Sequence, residues 1–267
     1  MSEAARGGIG DDVRTARRGA VLAIEFHRPQ KRNALTSEMY EALGEAVRAG
    51  EADEAVKVIL FHGQREAFTA GNDLADFLRR PPQGEDTPVF RFVRRVSAAA
   101  KPLVAAVNGP AVGLGTTLLL HCDLVYAGED ARFQLPFTKL GLVPEFASSY
   151  LLPLVAGWQR AAELLLLGEP FDAARAYEAG FVTRVVPPDE ALAVAWQAAE
   201  KLAALPAASL RATKALMKSA HRAAIEAQLG AEGEHFRRML TGPAAREAFA
   251  AFMEKRAPDF SRLPDPD

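Results

Sequence analysis

Cysteine is nearly absent from this chain: among 267 residues there is one, Cys122. A disulfide framework and a cysteine-rich zinc site are thereby excluded. Cys122 lies in an apolar run with no histidine–cysteine pattern around it, so it reads as a small buried hydrophobe. The five histidines (His27, His62, His121, His221, His235) form neither HExxH nor any other short metal spacing. An excess of either charge is missing too. Lys and Arg number 32 against 34 Asp and Glu, a formal net charge of −2. That balance gives no argument for nucleic acid as a partner, and basic pairs such as Arg17-Arg18, Arg79-Arg80 and Arg237-Arg238 read as solvated faces. No apolar run reaches membrane-spanning length, and residues 1–13 lack the apolar segment of a secretory signal. The closing Leu-Pro-Asp-Pro-Asp is not a peroxisomal address. The expectation is a cytoplasmic protein with no membrane or nucleic-acid partner.

What is present is an ordinary globular composition, 49% hydrophobic and 25% charged. Residues 1–13 show no periodicity and read as a disordered tail. Val21–Phe26, Val56–Phe61, Leu103–Val107 and Phe181–Val186 read as strands. Thr36 is placed to cap a helix running to about Ala49, with Glu38 and Glu41 in its first turns. Further helices are expected at 89–100, 114–121, 161–167 and 173–178. From Ala191 onward almost everything is helical, in four stretches, 191–205, 208–221, 223–240 and 243–255. Strands alternating with helices and then helices alone suggest an α/β core, 14–200, followed by a helical region, 201–267.

The centre of the chain carries the chemistry. The strand at 103–107 ends in Asn108-Gly109-Pro110, and Gly113 and Gly115 flank Leu114 at the start of the next apolar run. A helix beginning after a glycine turn offers unpaired amides and the positive end of a dipole, a place for developing negative charge. Dinucleotide and phosphate-loop readings both fail. Position 118 is Leu rather than a third glycine, and no Lys-Ser or Lys-Thr follows.

A second stretch upstream, Phe68-Thr69-Ala70-Gly71-Asn72-Asp73-Leu74, gives the glycines their meaning. FTAGNDL together with AAVNGPAVGLGTTLLLHCDLVYA resembles the crotonase superfamily, the enoyl-CoA hydratase/isomerase family, over nearly the whole chain. The resemblance implies a spiral of ββα repeats, a C-terminal helical part that mediates trimers, and assembly as a homotrimer or hexamer. It also implies an acyl-CoA thioester as substrate, with no separate cofactor and no metal. Two backbone amides, carried over to Asn72 and Leu114, would hold the thioester oxygen. Leu114 stands where many hydratase-type relatives have Gly and would narrow the room beside that oxygen. Lys31, Arg32 and Ala34 would lie along the CoA moiety, and Ala70, Gly71, Asp73, Leu74, Gly113 and Phe137 around the bound thioester. Phe77, Phe90 and Phe92 are candidates to touch the acyl chain, or plain core.

Hydratases resemble one another in using two carboxylates to place and deprotonate water. Here the corresponding positions are Thr117 and Phe137, and neither can act as a base near neutral pH. A different acid is present in Leu142-Val143-Pro144-Glu145-Phe146. This segment looks closest to peroxisomal-type Δ3,Δ2-enoyl-CoA isomerases, which implies Glu145 as a single base moving a proton from C2 to C4. A Pro-Glu pair also opens many helices, so spacing alone does not choose. Three readings stand: an enoyl-CoA isomerase, another crotonase-type enzyme such as a hydratase or thioester hydrolase, and a silent acyl-CoA-binding module.

Overall fold

The computed structural model describes residues 5–263 apart from 82, 83 and 85. In chain order the strands and helices are β1 (Ala5–Gly10), β2 (Val13–Arg18), β3 (Val21–Phe26), α1 (Ser37–Ala52), β4 (Val58–His62), α2 (Leu74–Arg79), α3 (Pro88–Ser97), β5 (Leu103–Val107), β6 (Pro110–Val112) and α4 (Leu114–Thr117). There follow β7 (Leu124–Gly128), β8 (Arg132–Gln134), α5 (Ser148–Ala156), α6 (Trp158–Ala162), β9 (Phe171–Asp172), α7 (Ala173–Glu178), β10 (Arg184–Val186), α8 (Ala191–Ala203), α9 (Ala207–Ser219), α10 (Arg222–Leu240) and α11 (Pro243–Glu254). Thr36 does cap α1, its side chain accepting from Met39 N at 3.3 Å.

The main sheet has the order β1-β2-β3-β4-β5-β7-β10, antiparallel as far as β3 and parallel beyond it. Each later strand joins the same growing edge, so the order never reverses. The parallel strands are buried on both faces, as such strands must be when helices cover each side. Their alternation divides them. Ile59, Phe61, Leu103, Ala105 and Val107 enter the larger core under α1 and α3, while Val58, Leu60, Val104 and Ala106 pack on the other side. There α8 presents Ala195 and Ala199, one turn apart, and small side chains let the helix lie close to the sheet.

A small second sheet, β6-β8-β9, branches off after β5 and carries the glycine turn. The helical run expected at 114–121 is shorter than the letters suggest. It is one α-turn, α4, followed by a 3-10 turn over Leu118–His121. The tail is also corrected. Residues 1–4 lie outside the described residues, but Ala5–Gly10 is a strand paired antiparallel with β2. Edge pairing uses backbone groups alone, which is why a Gly- and Ala-rich segment without periodicity can still form it.

The C-terminal helices do not form a separate unit. Leu229, Phe236 and Leu240 of α10 and Ala245 and Phe249 of α11 share the main hydrophobic core with the sheet's helices. No helix among the described residues is long and apolar enough to cross a membrane.

Candidate active site

Two glycine turns meet above the sheet. Thr69 N donates to Pro110 O and Val112 N to Thr69 O, each at 3.0 Å, stitching the FTAGN turn to β6. The fit is tight enough to need glycine at both contacts. A Cβ on Gly71 would lie 2.7 Å from Val112 O, and one on Gly115 would lie 2.6 Å from Thr69 Cγ2. Gly71 also has φ +82, in the left-handed region that favours glycine.

The amides left over are those that the motif reading singles out. Leu35 N donates to Gly71 O at 2.8 Å and Asp73 N to Leu35 O at 2.9 Å, so the Asn72 amide between them has no backbone acceptor among the described residues. Leu114 is the first residue of α4, and Gly113 O is already taken by Thr116 N and Thr117 N. As the first helical residue, Leu114 has an amide with no intrahelical partner. Tyr40 OH donates to Asn72 Oδ1 at 2.5 Å, fixing the side chain of the first turn.

The Lys31–Leu35 loop is held against this pair. Asn33 is fully buried, with φ 56, and donates from Nδ2 to Ala67 O and Phe68 O at 3.0 Å. Arg28 Nη1 reaches Asp73 Oδ2 at 2.7 Å, and Asp73 also caps α2 through Ala75 N and Asp76 N.

Beneath the turns lies a cleft of about 590 Å³. Of the residues assigned from the sequence to catalysis, the CoA moiety or the bound thioester, all line it except Arg32 and Leu114. Arg32 is exposed outside the cleft, in a left-handed conformation that turns the loop. The Leu114 side chain is wholly buried in the core and does not line the cleft, contrary to the expectation that it narrows the room there. A second cavity of about 200 Å³ opens between α3 and α10, with Phe77, Phe90, Phe146 and Leu229 in its walls. Phe92 belongs to the plain core, at 0% exposure.

Glu145 stands where the two cavities adjoin and lines both. Phe77 and Phe236 do the same, their rings in an edge contact at 6.0 Å. Glu145 does not begin a helix. Phe146 and Ala147 follow it in the left-handed conformation, and α5 starts only at Ser148. Part of its surface is open to the cavities, but Oε1 is enclosed and accepts no hydrogen bond. Burial raises its carboxyl from 4.5 to about 8, with the negative charge of Glu232 adding to the effect.

Glu232 is the residue that the sequence reading missed. It comes from α10, is 5% exposed, and lines the smaller cavity beside Glu145. Burial raises it too, to about 7, while hydrogen bonds from Ser149 and the amide of Ala147 pull the other way. His121 is buried and held down to about 3 by desolvation, so it is neutral and donates from Nε2 to Phe146 O at 2.8 Å. Cys122 is partly buried rather than fully so. Among the described residues no group of three His, Cys, Asp or Glu is placed to hold a metal.

The family model described as Enoyl-CoA hydratase/isomerase matches residues 16–262. The chain belongs to the enoyl-CoA hydratase/isomerase family. Its fold is that of a solved enoyl-CoA hydratase/isomerase from Pseudoalteromonas atlantica T6c. The TM-score is 0.89 at 41% identity, covering 93% of this chain and 99% of that one. The mixed α/β architecture with a C-terminal helical region is thus the crotonase fold. Both activities of the family occur among similar proteins. A 2,3-dehydroadipyl-CoA hydratase of Escherichia coli K12 is 35% identical over 92% of this chain and 96% of its own length. An enoyl-CoA delta isomerase 2 of Rattus norvegicus is 38% identical over 75% of this chain and 52% of its own. The protein is therefore a crotonase-type acyl-CoA enzyme, and its reaction has to be argued from the site.

Proposed function

We propose that this enzyme shifts the double bond of a 3-enoyl-CoA to give the 2-enoyl-CoA, with Glu145 carrying the proton. The observation behind the reading is the position of Glu145. It is an enclosed carboxyl with a raised pKa at the junction of the two cavities, while the two hydratase positions hold Thr117 and Phe137. In this scheme the amides of Asn72 and Leu114 hold the thioester oxygen. The ionised Glu145 takes a proton from C2, the C2–H electrons move into the dienolate, and negative charge collects on that oxygen. The same carboxyl then returns the proton at C4 as the double bond settles between C2 and C3. One base suffices because nothing is added to the substrate. Each amide is asked for about 2.7–4 kcal/mol of stabilisation. Lys31 and the loop to Ala34 would follow the CoA moiety, and the cavity between α3 and α10 would take the acyl chain.

Hydration is the second reading, favoured by Glu232 as another carboxylate in the smaller cavity. Its two oxygens already accept three hydrogen bonds from the protein, which leaves little room to place water. The test is incubation of the wild type and Glu145→Gln with 3-enoyl-CoA and 2-enoyl-CoA, with products identified by mass and double-bond position. Isomerisation lost in the variant, with no hydration by either protein, supports the proposal. Hydration surviving in the variant refutes it. Association as a homotrimer or hexamer is proposed alongside, on the exposed Trp158, Leu166 and Leu167, and is checked by light scattering.

A further inference from the structure

The segment that carries Glu145 does not hold its own shape. Phe146 has φ 62 and Ala147 φ 54, and two successive non-glycine residues in the left-handed region are strained. Neighbours hold the turn in place, and most of the hold comes from one side chain 85 residues further on. Glu232 Oε2 accepts from Ala147 N at 2.6 Å; Oε1 accepts from Ser149 N at 2.9 Å and from Ser149 Oγ at 2.5 Å. One helical turn earlier, Gln228 Nε2 donates to the same Ser149 Oγ at 2.7 Å. His121 closes the other side through Phe146 O, its ring stacked on Phe146 at 4.1 Å.

We propose that Glu232 is a positioning residue for Glu145, with two effects. It fixes the turn that aims the Glu145 carboxyl between the two cavities, and it keeps a negative charge beside that carboxyl. This rests on the reading of Glu145 as the base. A brace for a strained loop could be built from any acceptor. This one is a carboxyl that burial lifts to about 7, so it is charged over the range in which Glu145 at about 8 loses its own proton. It is 5% exposed and lines the same cavity as the group it braces. The other polar and charged groups facing Glu145 or this cavity are Tyr40 from α1, Arg94 from α3, and Glu226 and Arg237 from α10. Glu232 alone among them bonds to the backbone of the base's own turn.

The substitution Glu232→Gln separates this role from plain bracing. It keeps the size, removes the anion, and turns an amide N–H₂ towards donors. With 3-enoyl-CoA, KM is expected to stay within about threefold while kcat falls about 10- to 100-fold, as misaimed groups do. The rising limb of kcat against pH is expected to move roughly one unit towards acid. Glu232→Asp keeps the charge but shortens the reach, so kcat falls while the limb stays in place. A readout without turnover is the carboxyl band of Glu145 in the wild-type minus Glu145→Gln infrared difference spectrum. Its titration midpoint should drop when Glu232 becomes Gln, whichever reaction the enzyme performs. An unchanged kcat, or a limb and midpoint that do not move, overturns the proposal. Should the Gln variant fail to fold, wild-type kcat in Glu232→Asp overturns it equally.

Discussion

Tyr40 donates its hydroxyl hydrogen to Oδ1 of Asn72, and so the longest helix of the N-terminal half is tied to the turn bearing one of the two free amides. The bond is part-buried, between a phenol 3% exposed and a residue that lines the cleft. Tyr40→Phe removes the bond and nothing else of that shape. A hydrogen bond of this kind is worth about 0.5–1.5 kcal/mol, so kcat/KM should fall roughly 2- to 13-fold with the melting temperature little changed. Steady-state kinetics beside a thermal melt checks it; a kcat/KM equal to wild type would detach Tyr40 from the oxyanion side of the site.

On the proposed mechanism the pH profile follows from the carboxyl assigned as the base. Glu145 sits at about 8 and must be ionised to take a proton. Activity should therefore rise with pH up to about 8 and level above it, with a slope near one on a logarithmic scale below. At two units under the midpoint the rate should be about a hundredfold below its plateau. A profile flat between pH 6 and 8 would contradict the assignment.

Stability should run the opposite way. A group held at about 8 in the folded chain against 4.5 when exposed binds its proton more tightly folded than unfolded. That contribution is fully present below about 4.5 and is lost as pH rises through about 8. Glu145→Gln removes the loss. The variant is expected to match the wild type near pH 4.5 and to melt higher at pH 8, while its activity falls by about 100- to 10,000-fold. Parallel melting curves at the two pH values decide it.

Gly71→Ala tests the hole from its backbone. The new Cβ would sit 2.7 Å from Val112 O on a residue at φ +82, so the two turns must separate. Losing one donor's geometry costs about 100- to 1000-fold in kcat. The expected result is that loss with a lower melting temperature, and an alanine variant of wild-type activity would show that the turns need not touch.

The parts of this site that were legible in the sequence are those set by local constraints. Thr36 as a cap and the glycines at 71, 113 and 115 announce themselves through local geometry, whereas Glu145 stood out only through the family resemblance. The second sheet was not legible, since strands of two or three residues such as β6 and β9 are too short to show a period. Nor was β1, where pairing is purely backbone. Glu232 escaped because its partner is distant along the chain, although one signal was present. Gly233 follows it inside the helix, and a Cβ there would come within 3.2 Å of Phe90. A helix-interior glycine beside an acid can mark a close approach, which here is to Phe90 in the wall of the smaller cavity.

Because α10 supplies both the brace on the base and a wall of the smaller cavity, the order of synthesis matters. A ribosome that has delivered everything as far as α8 has already made Asn72, Leu114 and Glu145, yet of the holds on the turn after Glu145 only His121 is present. The last quarter of the polypeptide thus finishes a turn that was synthesised long before it, through the bonds of Glu232 to Ala147 and Ser149.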